Sequence, residues 1–282
     1  MAEYLATGFA GLDRTADPDV YVHCLRYLGE TPGMRAIKDE SLARLGLAAG
    51  GRALEVGCGL GAEAAAMAGL VGPTGIAVGL DASRTMLARA RLDLENAAGV
   101  RPVLAAGDGA RLPFADGVFD ACRIERTLQH VSDPGAVLAE MGRVTRPGGA
   151  VLAVEPDWGT FVVDSDLTDV ARRLARFWAD SFRCGWIGRR LGRLLAEAGL
   201  EAIEIFPRSL VLRRLEAAEA VYDLSETADR AVAAGLVSQA GAAMFTAEQR
   251  RRDAAGTFFS SLTFFMAVAR KPEVETGKPR CR

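Results

Sequence analysis

A single α/β domain, with a mostly parallel β-sheet covered by helices on both faces, is the fold this 282-residue sequence predicts. Two observations predict it. Apolar, strand-like segments alternate with amphipathic helical ones between residues 52 and 154, the pattern of a buried parallel sheet. The first of those strands also runs directly into a glycine turn, Gly57-Cys58-Gly59-Leu60-Gly61, that opens a helix.

The elements follow in order. Residues 1 to 30 have weak periodicity and early punctuation at Asp17-Pro18. A helix is expected over 33–45, closed by Gly46. A strand over 52–56, a helix over 62–70 and a strand over 75–80 come next. A helix over 84–97 carries Met86, Leu87, Ala90 and Leu94 on one face. Strands over 103–105 and 118–124, a helix over 134–143 and a strand over 150–154 complete the regular pattern. Beyond residue 155 the alternation breaks down. Helices are expected over 168–182 and 187–198, the latter closed by Gly199, then a strand over 201–212. A long alanine-rich helical stretch over 216–253 is broken near Gly235 and Gly241, and a last strand covers 262–270. The polar tail over 272–282 is expected to be disordered.

Half of the residues are apolar, a quarter are charged, and the formal net charge is −2. That balance supports a sizeable core and points to neither nucleic acid nor an anionic membrane. Arg189-Arg190 and Arg250-Arg251-Arg252 read as solvated helix faces. The N-terminus lacks a basic stretch followed by an apolar core, and no apolar run approaches the roughly 20 residues of a membrane span. A cytoplasmic protein is expected. Five cysteines, at 24, 58, 122, 184 and 281, show no metal or disulfide spacing, and there are two histidines. Reduced, mostly buried thiols and no metal site are expected.

The glycine turn is where chemistry starts. Glycines let a ligand approach the backbone, and the following helix start offers free N–H groups and partial positive charge. With Ala62 the turn also fits the dinucleotide pattern G-x-G-x-x-G/A. Asp81 ends the second strand, where a carboxylate can accept bonds from both hydroxyls of a ribose. NAD and S-adenosylmethionine (SAM) both contain adenosine, so both readings use Asp81. Glu55 separates them: an acid there would repel a pyrophosphate but can help hold a zwitterionic amino-acid moiety. Asp108, after the third strand, can accept from an adenine amino group, or can be a simple turn residue.

Glu55-Val56-Gly57-Cys58-Gly59-Leu60-Gly61, Asp81, Gly107-Asp108, Leu112-Pro113-Phe114, Phe119-Asp120, Leu128-Gln129-His130-Val131 and Arg146-Pro147-Gly148-Gly149 occur in order and at suitable spacing. Together they resemble the class I SAM-dependent methyltransferases, nearest the ubiquinone/menaquinone-biosynthesis type. The resemblance is strong over residues 45–160 and loose over 185–270. It implies a Rossmann-like seven-stranded sheet whose last strand is antiparallel, and SAM as cofactor. It places Gly57, Gly59 and Gly61 around the methionine end, Asp81 on the ribose, and Asp108, Gly109 and Ala110 at the adenine. Ala82 and Met86 would flank the adenosine, with Ile124, Glu125 and Arg126 beneath the methionine part. Many relatives carry His-His at Gln129-His130 and a small polar residue at Ile124, so any role of that first histidine is lost here.

Methyl transfer is an in-line displacement in which the protein aligns acceptor and methyl and excludes water. A base helps only where the nucleophile must lose a proton. His130 and Asp157 are the candidates, with Glu155 beside them, at the carboxyl ends of the fourth and fifth strands. A small-molecule acceptor is expected under a helical cap from 1–35, 157–185 and 215–255, over a core of 36–156 and 186–271. Trp158, Phe161, Trp178, Phe182 and Trp186 cluster after the fifth strand; Tyr222, Met244, Phe258 and Phe259 follow the sixth. Such a lining suggests an apolar or aromatic acceptor, quinone-like or a secondary metabolite. Two other readings share the glycine turn. An NAD-dependent oxidoreductase would need a hydride-transfer site, and no Tyr-x-x-x-Lys occurs. A SAM-binding cyclase or regulatory binder would carry the same cofactor signature.

Overall fold

The computed structural model describes residues 4–95 and 99–273. The expected end of the helix at Ala97, the tail from residue 274 and Cys281 lie outside them. The chain opens with a short helix α1 (Leu5–Gly8), a 3-10 turn (Phe9–Arg14) and helices α2 (Asp19–Glu30) and α3 (Pro32–Arg44). Then follow β1 (Arg52–Val56), α4 (Ala62–Val71), β2 (Ile76–Asp81), α5 (Arg84–Glu95), β3 (Val103–Ala106), β4 (Phe119–Glu125), α6 (Pro134–Val144) and β5 (Thr145–Val163). The rest comprises α7 (Thr168–Ser181), a 3-10 turn (Gly188–Arg190), α8 (Leu191–Glu197), β6 (Glu201–Leu212), α9 (Leu215–Tyr222), α10 (Leu224–Ala233), α11 (Gln239–Ala254) and β7 (Ser260–Arg270).

The strands form one seven-stranded sheet in the order β3-β2-β1-β4-β5-β7-β6, with β7 antiparallel to both β5 and β6. Parallel register pairs Leu54 with Val78 and Cys122, and Val56 with Leu80 and Ile124. Alternation along the strands divides the core in two. Leu54, Val56, Val151 and Ala153 face one layer, whereas Ala53, Leu152 and Val154 face the other, which continues into Tyr4, Tyr21, Trp158 and Trp178. Order reverses between β1 and β4, and their carboxyl ends therefore open a crevice, the usual ligand site of such sheets.

Four differences from the sequence reading have local causes. The weakly periodic start contains α2, whose buried Tyr21, Cys24 and Leu28 lie three and four residues apart, a helical stripe shortened by Pro18. The segment expected as one helix over 187–198 begins as a 3-10 turn. The stretch 216–253 breaks at Asp223, which takes a left-handed φ of 48°, and again at Gly235. Gly241 does not break it: Ser238 caps α11 by accepting from the Gly241 N–H. Finally, β5 continues past Val154 to Val163, because β7 supplies an antiparallel partner out to Val163. The expected cap segments pack on one another: α7 lies against α10 and α11, α1 against α7 and α9, and α2 against α9. No helix among the described residues is long and apolar enough to cross a membrane.

Candidate active site

The crevice holds a cavity of about 1050 Å³ that runs from the glycine turn to the aromatic residues beyond β5. Its first wall is backbone. Gly57, Gly59 and Gly61 have φ of 70°, 50° and 78°, the left-handed region that side chains disfavour. A Cβ on Gly57 would also fall 2.1 Å from Thr127 Oγ1. The Gly59 N–H donates to Asp81 Oδ2 at 2.7 Å, and Ser83 N–H to Asp81 Oδ1 at 2.8 Å. Each Asp81 oxygen keeps a lone pair for a hydroxyl donor. Burial raises the Asp81 pKa against the pull of those N–H groups.

Beneath the turn lies a buried charge network. Arg123, fully buried in β4, donates to Glu55 Oε1 at 2.6 Å, to Glu125, and through Nε to Ser41 Oγ at 2.9 Å. Lys38 of α3 pairs with Glu63 and lies 3.9 Å from Glu125. Burial pushes Glu55 up to about 8, and its Oε2 has no partner. Burial also works against Glu125, but Arg123, Lys38 and Arg126 hold it down at about 2. Arg126 follows β4 in a left-handed conformation, φ 49°.

The far wall is aromatic. Trp158 stacks on Phe182, centroids 4.8 Å apart, and meets Trp178 edge-on at 5.4 Å. Its indole N–H donates to Gln129 Oε1 at 2.6 Å, and Gln129 Nε2 donates to the Arg126 carbonyl at 3.1 Å. His130 lines the cavity between the rings of Phe9, at 5.1 Å, and Phe182, at 5.7 Å. Burial, with Arg126 adding, depresses the imidazole to about 3, so it is neutral at ordinary pH. The N-terminal segment joins the two walls. Tyr4 bonds Thr227 Oγ1 at 3.2 Å, whereas Asp13 accepts from Ser83 Oγ at 2.6 Å and from the N–H groups of Arg84 and Thr85, capping α5 beside Asp81.

The structure corrects several expected site residues. Asp157 lies outside the cavity lining, because β5 runs through it. Its carboxylate is occupied by Arg189 Nε, Nη2 and N–H and by Gly159 N–H, at 2.5–3.0 Å. Glu155 is also off the lining; it accepts from Thr127 and Leu128 N–H at 2.8 Å and so supports the His130 loop. Ile124 points into the core with Val56 and Ala153, one residue out of phase with Glu125. Gly61 packs against Ala90 and Leu94 of α5, and Ala110 caps the Asp108 turn from outside the lining. Trp186 sits on the outer face among Arg176 and Arg189, and Met244 is exposed. Glu55, Gly57, Gly59, Asp81, Ala82, Met86, Asp108, Gly109, Glu125, Arg126 and His130 all line the cavity. Asp13, Lys38 and Arg123 were not singled out from sequence. Only Arg123 left a signal there, as the one basic residue in a central strand.

A family model described as a methyltransferase domain matches residues 54–153. A demethylmenaquinone methyltransferase of Halalkalibacterium halodurans is 32% identical over 190 residues, covering 62% of this chain and 78% of that protein. The chain is a class I SAM-dependent methyltransferase. The methyltransferase is also 38% identical over 258 residues to an uncharacterized 37.1 kDa protein in transposon TN4556 of Streptomyces fradiae, covering 90% of this chain and 72% of that one. Its fold resembles Haemonchus contortus phosphoethanolamine N-methyltransferase 2, solved with phosphomonomethylethanolamine and S-adenosylhomocysteine. The TM-score is 0.61 at 20% identity, covering 93% of this chain and 59% of that one. SAM is thus the methyltransferase's cofactor, and the cavity fits it. Glu55 Oε2, buried and unpartnered, suits an ammonium, and Asp81 suits a ribose.

Proposed function

We propose that the methyltransferase alkylates a small, flat, apolar or aromatic acceptor held against Trp158 and Phe182. One observation carries this reading: a single cavity joins the glycine turn and Asp81 to an aromatic wall. SAM supplies an activated methyl on a sulfonium. The chain's own residues bind and orient. Gly57, Gly59 and Glu55 face its amino-acid end, Asp81 its ribose, Met86 and Ala82 its adenosine, and Asp108 with Gly109 its adenine. Glu125 and Arg126 lie beneath. Residues 1–35, 157–185 and 215–255 act as the cap that keeps water from the reacting atoms. His130, neutral and flanked by Phe9 and Phe182, orients the acceptor through a hydrogen bond. An imidazole held near 3 is too weak a base to deprotonate a phenol at neutral pH.

A panel of mono- and bicyclic aromatic acceptors incubated with methyl-labelled SAM tests the reading. Label transfer and acceptor-dependent formation of S-adenosylhomocysteine are expected. A protein that binds S-adenosylhomocysteine yet methylates only aliphatic acceptors would overturn the acceptor class.

A further inference from the structure

The charges lining the cavity are segregated along the chain. Every lining carboxylate belongs to residues up to Glu125; from Arg126 onward the lining contributes no Asp or Glu. Of the earlier acids, Asp13 caps α5, Glu55, Glu63 and Glu125 pair with Arg123 and Lys38, Asp81 and Asp108 lie by the glycine turn and the third strand, and Glu30, Asp39 and Asp93 are exposed. The aromatic end is different. Its charged lining groups are Arg126 and Arg183, and its titratable groups are the neutral imidazole of His130 and the Cys24 thiol, which burial pushes up to about 11.

Neither guanidinium is fully matched. Arg183 follows Phe182, is exposed, and makes no ion pair among the described residues. Arg126 shares Glu125 with Arg123 and Lys38, which also pair with Glu55 and Glu63, so Arg126 has no carboxylate to itself. The field of Arg126 reaches the aromatic end, since it acts on both His130 and Cys24. Asp223 is a carboxylate on that side. It also acts on Cys24, yet it lies outside the lining and accepts from the Leu5 N–H. Trp158 and Phe182 stack at an interplanar angle of 15°, which leaves one face of each ring turned away from a ligand.

Resting on the methyltransferase reading above, we infer that the acceptor enters as an oxyanion on a conjugated ring, held between Arg126 and Arg183, and is methylated on that oxygen. An amine or ammonium acceptor would meet two guanidiniums and no carboxylate there. An oxyanion needs no base, which agrees with the absence of one at the aromatic end. The acceptor's oxygen lone pair forms the O–CH3 bond while the C–S bond breaks and its electron pair returns to sulfur. No proton moves. His130 and Gln129 position the ring, and Arg183 closes the anion from the solvent side.

The test is calorimetric binding to the protein saturated with S-adenosylhomocysteine, using three probes of matched shape: 1-naphthoate, 1-naphthylmethanol and 1-naphthylmethylammonium. The expected order is anion, neutral, cation, with at least a tenfold span from first to last. Arg183→Gln removes at least fivefold of the anion's affinity and leaves the neutral probe unchanged, and Arg183→Lys restores part of it. Equal affinities, a preference for the ammonium, no binding of any probe, or an unchanged anion affinity in Arg183→Gln would each overturn the inference. Failure of S-adenosylhomocysteine itself to bind would instead strike the methyltransferase reading, so the two failures are told apart in one titration.

Discussion

The two ends of the cavity are built by opposite means. The cofactor end is made of contiguous backbone and buried charge: one glycine turn, one carboxylate ending β2, and a guanidinium shared by two acids. The end proposed for the acceptor is made of side chains from Phe9, His130, Trp158 and Phe182, brought together from four separate segments. A backbone cradle tolerates little change and serves one ligand. A wall of assembled side chains is free to vary with the acceptor.

Arg123→Leu strikes the first end hardest. It leaves Glu55 and Glu125 buried without their guanidinium, at an expected cost of about 3–5 kcal/mol in denaturant-induced unfolding. A loss below about 1 kcal/mol would show that the network does not stabilise the cofactor end. Asp81→Ala comes next. It weakens S-adenosylhomocysteine binding by about 1–3 kcal/mol through lost charge-assisted bonds, measured by calorimetry. Unchanged affinity would remove Asp81 from the site.

His130 sharpens the second end through pH. Its folded pKa, about 3, lies below the unfolded value of about 6.5. Between those values the unfolded chain binds a proton that the folded chain refuses, so stability falls as pH drops from 6.5 toward 3. The slope contributed is at most about 1.4 kcal/mol per pH unit. His130→Gln therefore flattens the acid side of the stability curve, and an unaltered slope would mean that the imidazole is charged in the fold. The smallest effect belongs to Trp158→Phe, which keeps a ring but loses the bond to Gln129. We expect about 1 kcal/mol, seen in the acceptor's KM and not in cofactor affinity. Trp186→Phe, on the outer face, changes neither. Equal effects from both would erase the distinction between wall and exterior.

The same contrast explains what was legible in the sequence. The cofactor end is local: strand, turn and acid follow one another, so Gly57, Gly59 and Asp81 could be read in order. Ile124 was misplaced within that same stretch because side-chain phase on a strand depends on neighbours in space. Asp157 was misread as a site residue because the sequence stops β5 at Val154. Pro156 and Gly159 look like strand breakers until β7 lies alongside. Among the tryptophans, composition cannot tell Trp158 from Trp186; helix rotation and Arg189 decide which faces inward. Asp13 left no signal, since its partners lie some seventy residues away.

Tyr4 is 5% exposed and bonded into the cap, while Asp13, nine residues on, caps α5 next to the ribose carboxylate. The first described residues are therefore tied both to the later helices and to α5. An affinity tag fused directly ahead of Tyr4 would emerge from a buried tyrosine and load the segment that joins the two walls of the cavity. Kinetics measured on such a fusion would report on the tag as well as the enzyme. A cleavable handle, or one placed beyond Glu273, keeps the chamber as the chain builds it.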